Sequence, residues 1–207
     1  MAFHSEREIS PISVRFRLAR NFKTYPYPVV NPMPDEFLIE KIQNFISGLT
    51  GNEVEVKINE RINFSGTSIY FFDEDHVRLE ILATDFSSLE KVIANEPLFD
   101  KFHSQIDFSK RFGFLTSCPT NAFRGNKLSA LLDLKNLFLF DGGRFLLKIL
   151  PEYISIGGLD GSKVIGQNGN YLINFHIKNF NFARKRRFIS FIYLLLSFNK
   201  KIIENNQ

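Results

Sequence analysis

Two arginines, Arg15 and Arg17, lie two positions apart in residues 12–22, where polar and apolar side chains alternate. A period of two is typical of a half-buried strand, so both guanidinium groups are predicted to point to the same exposed face. A planar guanidinium can hold two phosphate oxygens at once, which makes such a pair suitable for a phosphorylated ligand. The alternative is a pair of surface salt bridges, a common fate of arginines on strands.

An acidic stretch and the single cysteine are the other candidates for chemistry. The stretch Asp73-Glu74-Asp75-His76 separates two strand-like runs, at residues 67–72 and 77–82, and a solvated hairpin turn is its simplest interpretation. Cys118 opens a turn-like segment, and a lone cysteine is usually a buried structural residue. No spacing among the four histidines predicts a metal site.

Three motifs, taken together and in this order, resemble the ATP:guanidino phosphotransferases, or phosphagen kinases. Residues 13–21, Ser-Val-Arg-Phe-Arg-Leu-Ala-Arg-Asn, resemble the family signature Ser-Ser-Arg-x-Arg-Leu-Ala-Arg-Asn. Residues 73–78, Asp-Glu-Asp-His-Val-Arg, are similar to the family loop Asn-Glu-Glu-Asp-His-Leu-Arg. Residues 114–121, Phe-Leu-Thr-Ser-Cys-Pro-Thr-Asn, are very similar to the Tyr-Leu-Thr-Ser-Cys-Pro-Thr-Asn run of bacterial protein-arginine kinases. The resemblance covers residues 12–177.

The resemblance implies a ligand and the residues that hold it. The family uses ATP with Mg²⁺, and its arginines gather around the phosphates, because phosphoryl transfer depends mainly on charge neutralisation and alignment. By resemblance, Arg15, Arg17 and Arg78 keep three of those places, and Lys127 falls on a fourth. Lysine keeps the charge at that place but loses the bidentate fork.

The resemblance also implies how the acceptor would be activated. A guanidinium has a pKa above about 12, so it must lose a proton before it can attack phosphorus. Glu74 falls on the carboxylate that orients the guanidinium and accepts this proton, which makes it the candidate general base. Cys118 falls on the cysteine placed beside the substrate cation, where a thiolate would stabilise positive charge. Asp75 and His76 are expected to shape the turn.

Four departures from the family pattern predict weakened phosphate binding. Besides Lys127, Phe123 replaces a glycine, and its ring is expected to obstruct close backbone approach. Gly157 falls on a phosphate-binding arginine, and Phe72 stands where the acidic loop of the family has asparagine.

Two main functions therefore stay open, and a third is more distant. The first is an ATP-dependent kinase of protein arginine side chains, with weakened activity. The second is a pseudokinase that binds a nucleotide, a partner kinase or an adaptor protein. The third is a nucleic-acid-binding module, suggested only by the net charge of +4 and the basic run at residues 183–187. That run lies outside the matched region, and a solvated helix face explains it more simply.

Composition points to a soluble, cytoplasmic protein without a membrane partner. The longest apolar stretch, residues 188–198, is too short to span a bilayer, and the polar N-terminus is unlike a signal peptide. One cysteine excludes an intrachain disulfide, which suits a reducing compartment.

Hydrophobic periodicity predicts an α+β fold with a largely antiparallel sheet flanked by helices. A catalytic domain is expected over residues 1–178, and a basic and apolar tail, forming a helix, over residues 179–207. Ser87 or Ser88 is the expected N-cap of the second helix. Helices are predicted at residues 35–49 and 87–102, and strands or buried segments at 12–22, 54–58, 62–64, 67–72, 77–82, 112–117, 128–140, 146–156 and 171–177.

Overall fold

The computed structural model describes residues 10–30, 33–64, 67–93, 105–119, 122–157 and 171–204 of the 207-residue chain. In chain order the elements are β1 (Ser13–Arg20), α1 (Glu36–Thr50), β2 (Arg61–Phe64), β3 (Thr67–Phe71), β4 (Val77–Ala83), α2 (Phe86–Ile93), β5 (Phe108–Ser109), β6 (Gly113–Phe114), β7 (Asn126–Asp133), α3 (Lys135–Asp141), α4 (Arg144–Ile149), β8 (Ser155–Gly157), β9 (Leu172–Lys178) and α5 (Phe182–Glu204).

Within these ranges seven strands form one antiparallel sheet in the order β2-β3-β4-β1-β7-β9-β8. The first strand of the chain lies at the centre of this sheet, paired with β4 on one side and β7 on the other. Its apolar residues Val14, Phe16 and Leu18 are fully buried, whereas Arg15 and Arg17 on the other face are half-buried. The predicted α+β fold with a largely antiparallel sheet is confirmed.

Helices cover the apolar face of the sheet. α1 begins after Asp35, whose Oδ1 accepts a hydrogen bond from Leu38 N at 2.7 Å, and it ends at Gly51 in the left-handed conformation (φ 70°). The helix buries Ile42 and Phe45, and the Phe45 ring packs edge to face on Phe22 just after β1. The helix predicted at residues 35–49 therefore agrees with α1 to within one residue at each end.

The C-terminal helix α5 packs on the same face and shares the main core. Phe188, Ile192 and Leu195 are buried at helical spacing, and Phe191 packs edge to face on Phe175 of β9. The basic run lies at the start of this helix, with Arg184, Arg186 and Arg187 exposed and Lys185 paired with Glu90 of α2.

The strand predicted at residues 54–58 is wrong. The backbone N–H groups of Val54 and Val56 donate instead to Ser47 Oγ and Gln43 Oε1 of α1, each at 3.3 Å. Val56 is buried in the core. The alternation of apolar residues there reflects packing next to a helix and not a β ladder.

The cap predicted for α2 is also wrong. Asp85 Oδ1 accepts from Ser88 N at 2.7 Å, and Asp85 Oδ2 accepts from Ser88 Oγ at 2.8 Å. Asp85 therefore takes the capping role expected of Ser87 or Ser88. The part of the predicted helix beyond Ile93 lies outside the described residues up to position 104.

Three apolar segments are shorter or more helical than predicted. Residues 128–140 are divided between β7 and α3, and residues 146–156 between α4 and β8. The predicted strand at residues 112–117 shrinks to the two-residue β6, paired with β5. No helix in the described ranges is both long enough and apolar enough to cross a bilayer.

Candidate active site

A row of charged side chains crosses the polar face of the sheet. Arg17 on β1 lies directly opposite Glu80 on β4 and directly opposite Lys127 on β7. Lys127 in turn lies opposite Lys178 on β9. Directly opposed residues share a face, so three cations and one carboxylate stand side by side across four strands. Arg15, two positions before Arg17, lies on the same face.

Arg78 lies next to this row, because it is opposite Ala19 in the same ladder. Its guanidinium stacks 4.2 Å above the Tyr70 ring and forms an ion pair with Asp73. Arg78 Nε is buried and has no hydrogen-bond partner among the described residues. A buried guanidinium N–H without a partner is costly, so the site is suited to an additional acceptor.

Asp75 joins the acidic loop to the loop that carries the cysteine. Its buried Oδ1 accepts from Asn21 Nδ2 at 2.6 Å and from Ser117 N at 2.7 Å. Asn21 Oδ1 accepts from His76 N at 2.7 Å. Because these bonds fix both loops against the end of β1, they determine where the neighbouring Glu74 and Cys118 lie.

His76 is a structural residue of the same loop. It is fully buried, and burial lowers the pKa of its imidazole, so the neutral form is favoured at pH 7. Nδ1 accepts from Phe22 N at 2.9 Å, which leaves the proton on Nε2 to donate to Pro26 O at 3.0 Å.

Together these elements enclose a cavity of about 170 Å³ on the polar face. Five of the six residues singled out from the sequence line it: Arg17, Glu74, Arg78, Cys118 and Lys127. The remaining lining residues are Ala19, Asp75, Gly125, Asn126 and Lys178.

Arg15, the sixth, is not among the lining residues. It lies two residues before Arg17 on β1, where its NH1 is 3.8 Å from Glu80 Oε1. The structure therefore brings the predicted base, the cysteine and three of the four predicted phosphate-binding cations to one cavity, with Arg15 at its side.

The cations are close enough to perturb one another. Burial, followed by the charges of Arg17, Lys178 and Arg15, lowers the pKa of Lys127 to about 8. Burial and the neighbouring Arg78 lower the pKa of Arg17. Burial and nearby positive charges, of which Lys127 has the largest effect, lower the pKa of His176 on β9 to about 4. This histidine is therefore neutral at pH 7. The positive potential of this face favours an anionic ligand.

Each of the three arginines that fall on phosphate-binding places contacts a carboxylate in this structure. Glu80 lies between Arg15 and Arg17, with Oε2 3.6 Å from Arg17 Nε. Asp73 pairs with Arg78. Both interpretations of the arginines, phosphate binding and salt bridging, are therefore compatible with the same geometry.

Two departures from the family pattern have a defined place in the structure. The Phe123 ring is more than half exposed and is not among the residues that line the cavity. Gly157 lies opposite Asn174 at the sheet edge, and a Cβ placed on it meets no atom of the described residues within 4 Å.

Sequence reasoning missed Glu80 and Lys178. The available signal was strand alternation: Glu80 is two positions from Arg78, and Lys178 is two positions from His176 at the end of an alternating run. In each case the period of two places both residues on the polar face. Neither residue belongs to the three segments that match the family motifs.

The sequence of this chain is similar to that of known kinases. The family model of the ATP:guanido phosphotransferase C-terminal catalytic domain matches residues 12–171. Curated protein-arginine kinases are similar in sequence: that of Staphylococcus epidermidis is 26% identical over 189 residues, which cover 75% of this chain and 56% of the relative. That of Clostridium acetobutylicum is 28% identical over 193 residues, covering 75% and 57%. The chain thus spans a little over half the length of these relatives.

Solved structures share the fold at low sequence identity. The duplicated taurocyamine kinase from Schistosoma mansoni, with bound transition state analog components, superposes with a TM-score of 0.67 at 16% identity, covering 96% of this chain and 34% of that one. A lombricine kinase superposes with a TM-score of 0.61 at 14% identity, covering 94% and 65%.

Proposed function

This chain belongs to the ATP:guanido phosphotransferase family, and on that premise we propose that it transfers the γ-phosphoryl group of ATP to arginine guanidino groups of proteins. The protein substrate class is suggested by the curated relatives, which are protein-arginine kinases.

The observation that carries this proposal is the composition of one cavity. A carboxylate, Glu74, and a thiol, Cys118, line the same space as Arg17, Arg78 and Lys127. Phosphoryl transfer to a guanidine needs cations around the phosphates and a carboxylate at the acceptor, and these are the groups that the cavity combines.

In the proposed reaction, an acceptor nitrogen attacks the γ-phosphorus, the bond to the β,γ-bridging oxygen breaks, and ADP leaves. Glu74 accepts the proton that the guanidinium must lose, and Cys118 stabilises the positive charge that returns to the guanidino group as the phosphorus–nitrogen bond forms. Arg17, Arg78 and Lys127 neutralise phosphate charge, and Arg15 assists from the side of the cavity.

Mg²⁺ would accompany the nucleotide. Among the described residues no cluster of three or more His, Cys, Asp or Glu side chains is arranged to hold a metal ion. In kinases, phosphate oxygens and waters supply much of the Mg²⁺ coordination.

A binding module without turnover is the second candidate, and a specific contact favours it. Glu80 and Asp73 form ion pairs with the three arginines on which phosphate binding would depend. A ligand must displace or tolerate these carboxylates, and Lys127 offers no bidentate fork to compensate. In that case the same face would hold a nucleotide, a partner kinase or an adaptor protein without transferring phosphate.

The deciding experiment is incubation of the full chain with Mg²⁺, γ-labelled ATP and an arginine-rich protein. We expect label on the acceptor that is released by mild acid, as a phosphorus–nitrogen bond should be, and no label when the acceptor lacks arginine. Acid-stable label, or equal label on the arginine-free acceptor, would contradict the proposal. Nucleotide binding without any transfer would support the binding module instead.

A further inference from the structure

Like charges stand directly opposite one another in the row that crosses the sheet. Lys127 has Arg17 on one side and Lys178 on the other, and directly opposed side chains in an antiparallel pair have Cβ atoms only about 5 Å apart. Such like-charged neighbours are destabilising, so this arrangement is expected where an anion completes the site.

The position of Lys178 is fixed by a polar network whose central residue, Asn126, is buried. Asn126 Oδ1 accepts from Phe180 N at 3.0 Å, and Asn126 O accepts from Asn179 N at 2.9 Å. Asn179 Oδ1 in turn accepts from Arg124 N at 3.1 Å. Because this network ties the end of β9 to the start of β7, the backbones that carry Lys178 and Lys127 are held next to each other.

We propose that Lys178 is a further phosphate-binding residue, which joins Lys127 and Arg17 in a three-cation row for the triphosphate of ATP. Lys178 lines the same cavity as Glu74, Cys118 and Arg78, and this is the cavity in which the reaction is proposed to occur. The inference rests on the proposed function, because it assigns a residue to the nucleotide of that same site.

Electrostatics at the neighbouring groups support this assignment. The positive charge of Lys178 is among the causes that lower the pKa values of both Lys127 and His176. Among the described residues, the charged and titratable groups that share its cavity are Lys127 on β7, Arg17 on β1, Arg78 on β4, Glu74 and Asp75 in the acidic loop, and Cys118, and His176 lies on its own strand. A triphosphate would relieve the repulsion among the cations of this set.

Lys178 also compensates in part for the arginines that are missing from the phosphate-binding places. Lys127 stands on the place of a family arginine and Gly157 falls on another, so the phosphate-binding set is depleted of guanidinium forks. A lysine directly beside Lys127 restores one positive charge, although as a point charge without bidentate geometry.

The test is titration calorimetry of the full chain with Mg-ATP and, separately, with inorganic tripolyphosphate. The variants are Lys178→Gln, Lys178→Arg, Arg17→Gln, and Lys148→Gln as a control on the exposed side of α4. We expect Lys178→Gln to weaken both ligands by about tenfold or more, the scale of a charge-assisted hydrogen bond. Lys178→Arg should retain binding, and Lys148→Gln should match the parent.

Thermal unfolding distinguishes binding from a structural role. Without ligand, Lys178→Gln and the parent should unfold at similar temperatures, because the proposed role of Lys178 is to bind the ligand and not to hold the fold. Binding that is lost in Arg17→Gln but unchanged in Lys178→Gln would overturn the assignment of Lys178 and leave the proposed function standing. A parent that binds neither ligand would instead contradict nucleotide binding itself.

Discussion

Glu80 Oε2 lies 3.6 Å from Arg17 Nε, directly across the β1–β4 ladder. This carboxylate stands on the polar face of the sheet beside the cavity, and its other oxygen approaches Arg15. A phosphate that binds Arg17 must therefore either share the guanidinium with Glu80 or displace it. In both cases the negative charge of Glu80 opposes an anionic ligand.

Replacing this carboxylate should strengthen nucleotide binding. Glu80→Gln keeps the size of the side chain but removes its charge, so we expect the dissociation constant of Mg-ATP to fall by about threefold to tenfold, the scale of one partly exposed ion pair. Calorimetry at constant ionic strength measures the effect. Glu90→Gln, which breaks the ion pair with Lys185 on α5, is the matched control and should leave affinity unchanged. Weaker binding in Glu80→Gln would mean that the carboxylate positions the arginines for the ligand.

Nucleotide affinity should decrease as the pH rises through about 8, because Lys127 loses its proton in that range. Phosphate binding favours the charged form, so affinity is greatest below this pKa and declines above it. Lys127→Arg should remove the decline, since a guanidinium stays protonated over this range. Calorimetry from pH 7 to pH 9.5 tests both expectations, and an equal decline in Lys127→Arg would assign the titration to another group.

The same pKa shift affects stability with a definite sign. The pKa of Lys127 falls from 10.5 to about 8 on folding, so the unfolded chain binds more protons between those values. The contribution of this lysine to the free energy of unfolding therefore rises with pH across that window.

The fold and much of the site were predictable because each depends on short-range patterns. Alternation placed Arg15 and Arg17 on one face of β1, and the cap residues Asp35 and Gly51 mark the ends of α1. The motifs at residues 73–78 and 114–121 follow the ends of β3 and β6. Asp75 of the first loop bonds both Asn21, just after β1, and Ser117 of the second loop, so the three motifs come together.

Other features depend on packing that no local pattern encodes. Residues 54–58 alternate like a strand, but within the described parts of the chain they have no ladder partner and bond to the side chains of α1. The proximity of Lys178 to Lys127 follows from the pairing of β9 with β7, which are far apart in sequence. Glu80 becomes important only when the register of β4 on β1 is known, because a shift by one residue would turn it to the other face.

Phe123 has a conformation that suits glycine, which stands at this place in the family pattern. Its φ is 88°, and two backbone hydrogen bonds with Phe114, of 2.8 and 3.1 Å, hold it there. Left-handed conformations cost about 1–2 kcal/mol for residues with a Cβ. The greater backbone entropy of unfolded glycine offsets about 0.5–1 kcal/mol of this. We therefore expect Phe123→Gly to raise the free energy of unfolding by about 0.5–1 kcal/mol in urea denaturation.

Phe112→Gly is the matched control for this change. Phe112 and Phe123 are almost equally exposed, at 54% and 55%, but φ is not positive at Phe112. Glycine there brings only the entropy cost, so stability should fall by about 0.5–1 kcal/mol. Equal destabilisation by both substitutions would show that the positive φ of Phe123 stores no relievable strain.

If phosphoryl transfer occurs, it should depend most strongly on Glu74. This carboxylate lines the cavity with Cys118 and is near enough to Arg17 to act on its pKa. Uncharged guanidine is rare at neutral pH, so a positioned proton acceptor contributes strongly to the rate. Glu74→Gln keeps size and hydrogen bonding, and it should lower the transfer rate by about 10²–10⁴-fold while leaving Mg-ATP affinity nearly unchanged.

Cys118→Ala should have a smaller effect on the rate than Glu74→Gln, because the sulfur only adds to the field around the substrate and accepts no proton from it. Glu55→Gln, which breaks a surface ion pair with Lys57, should transfer phosphate at the rate of the parent. Rates are measured with γ-labelled ATP and an arginine-rich acceptor under single-turnover conditions. A Glu74→Gln variant as fast as the parent would show that another group, or the solvent, accepts the proton of the guanidinium.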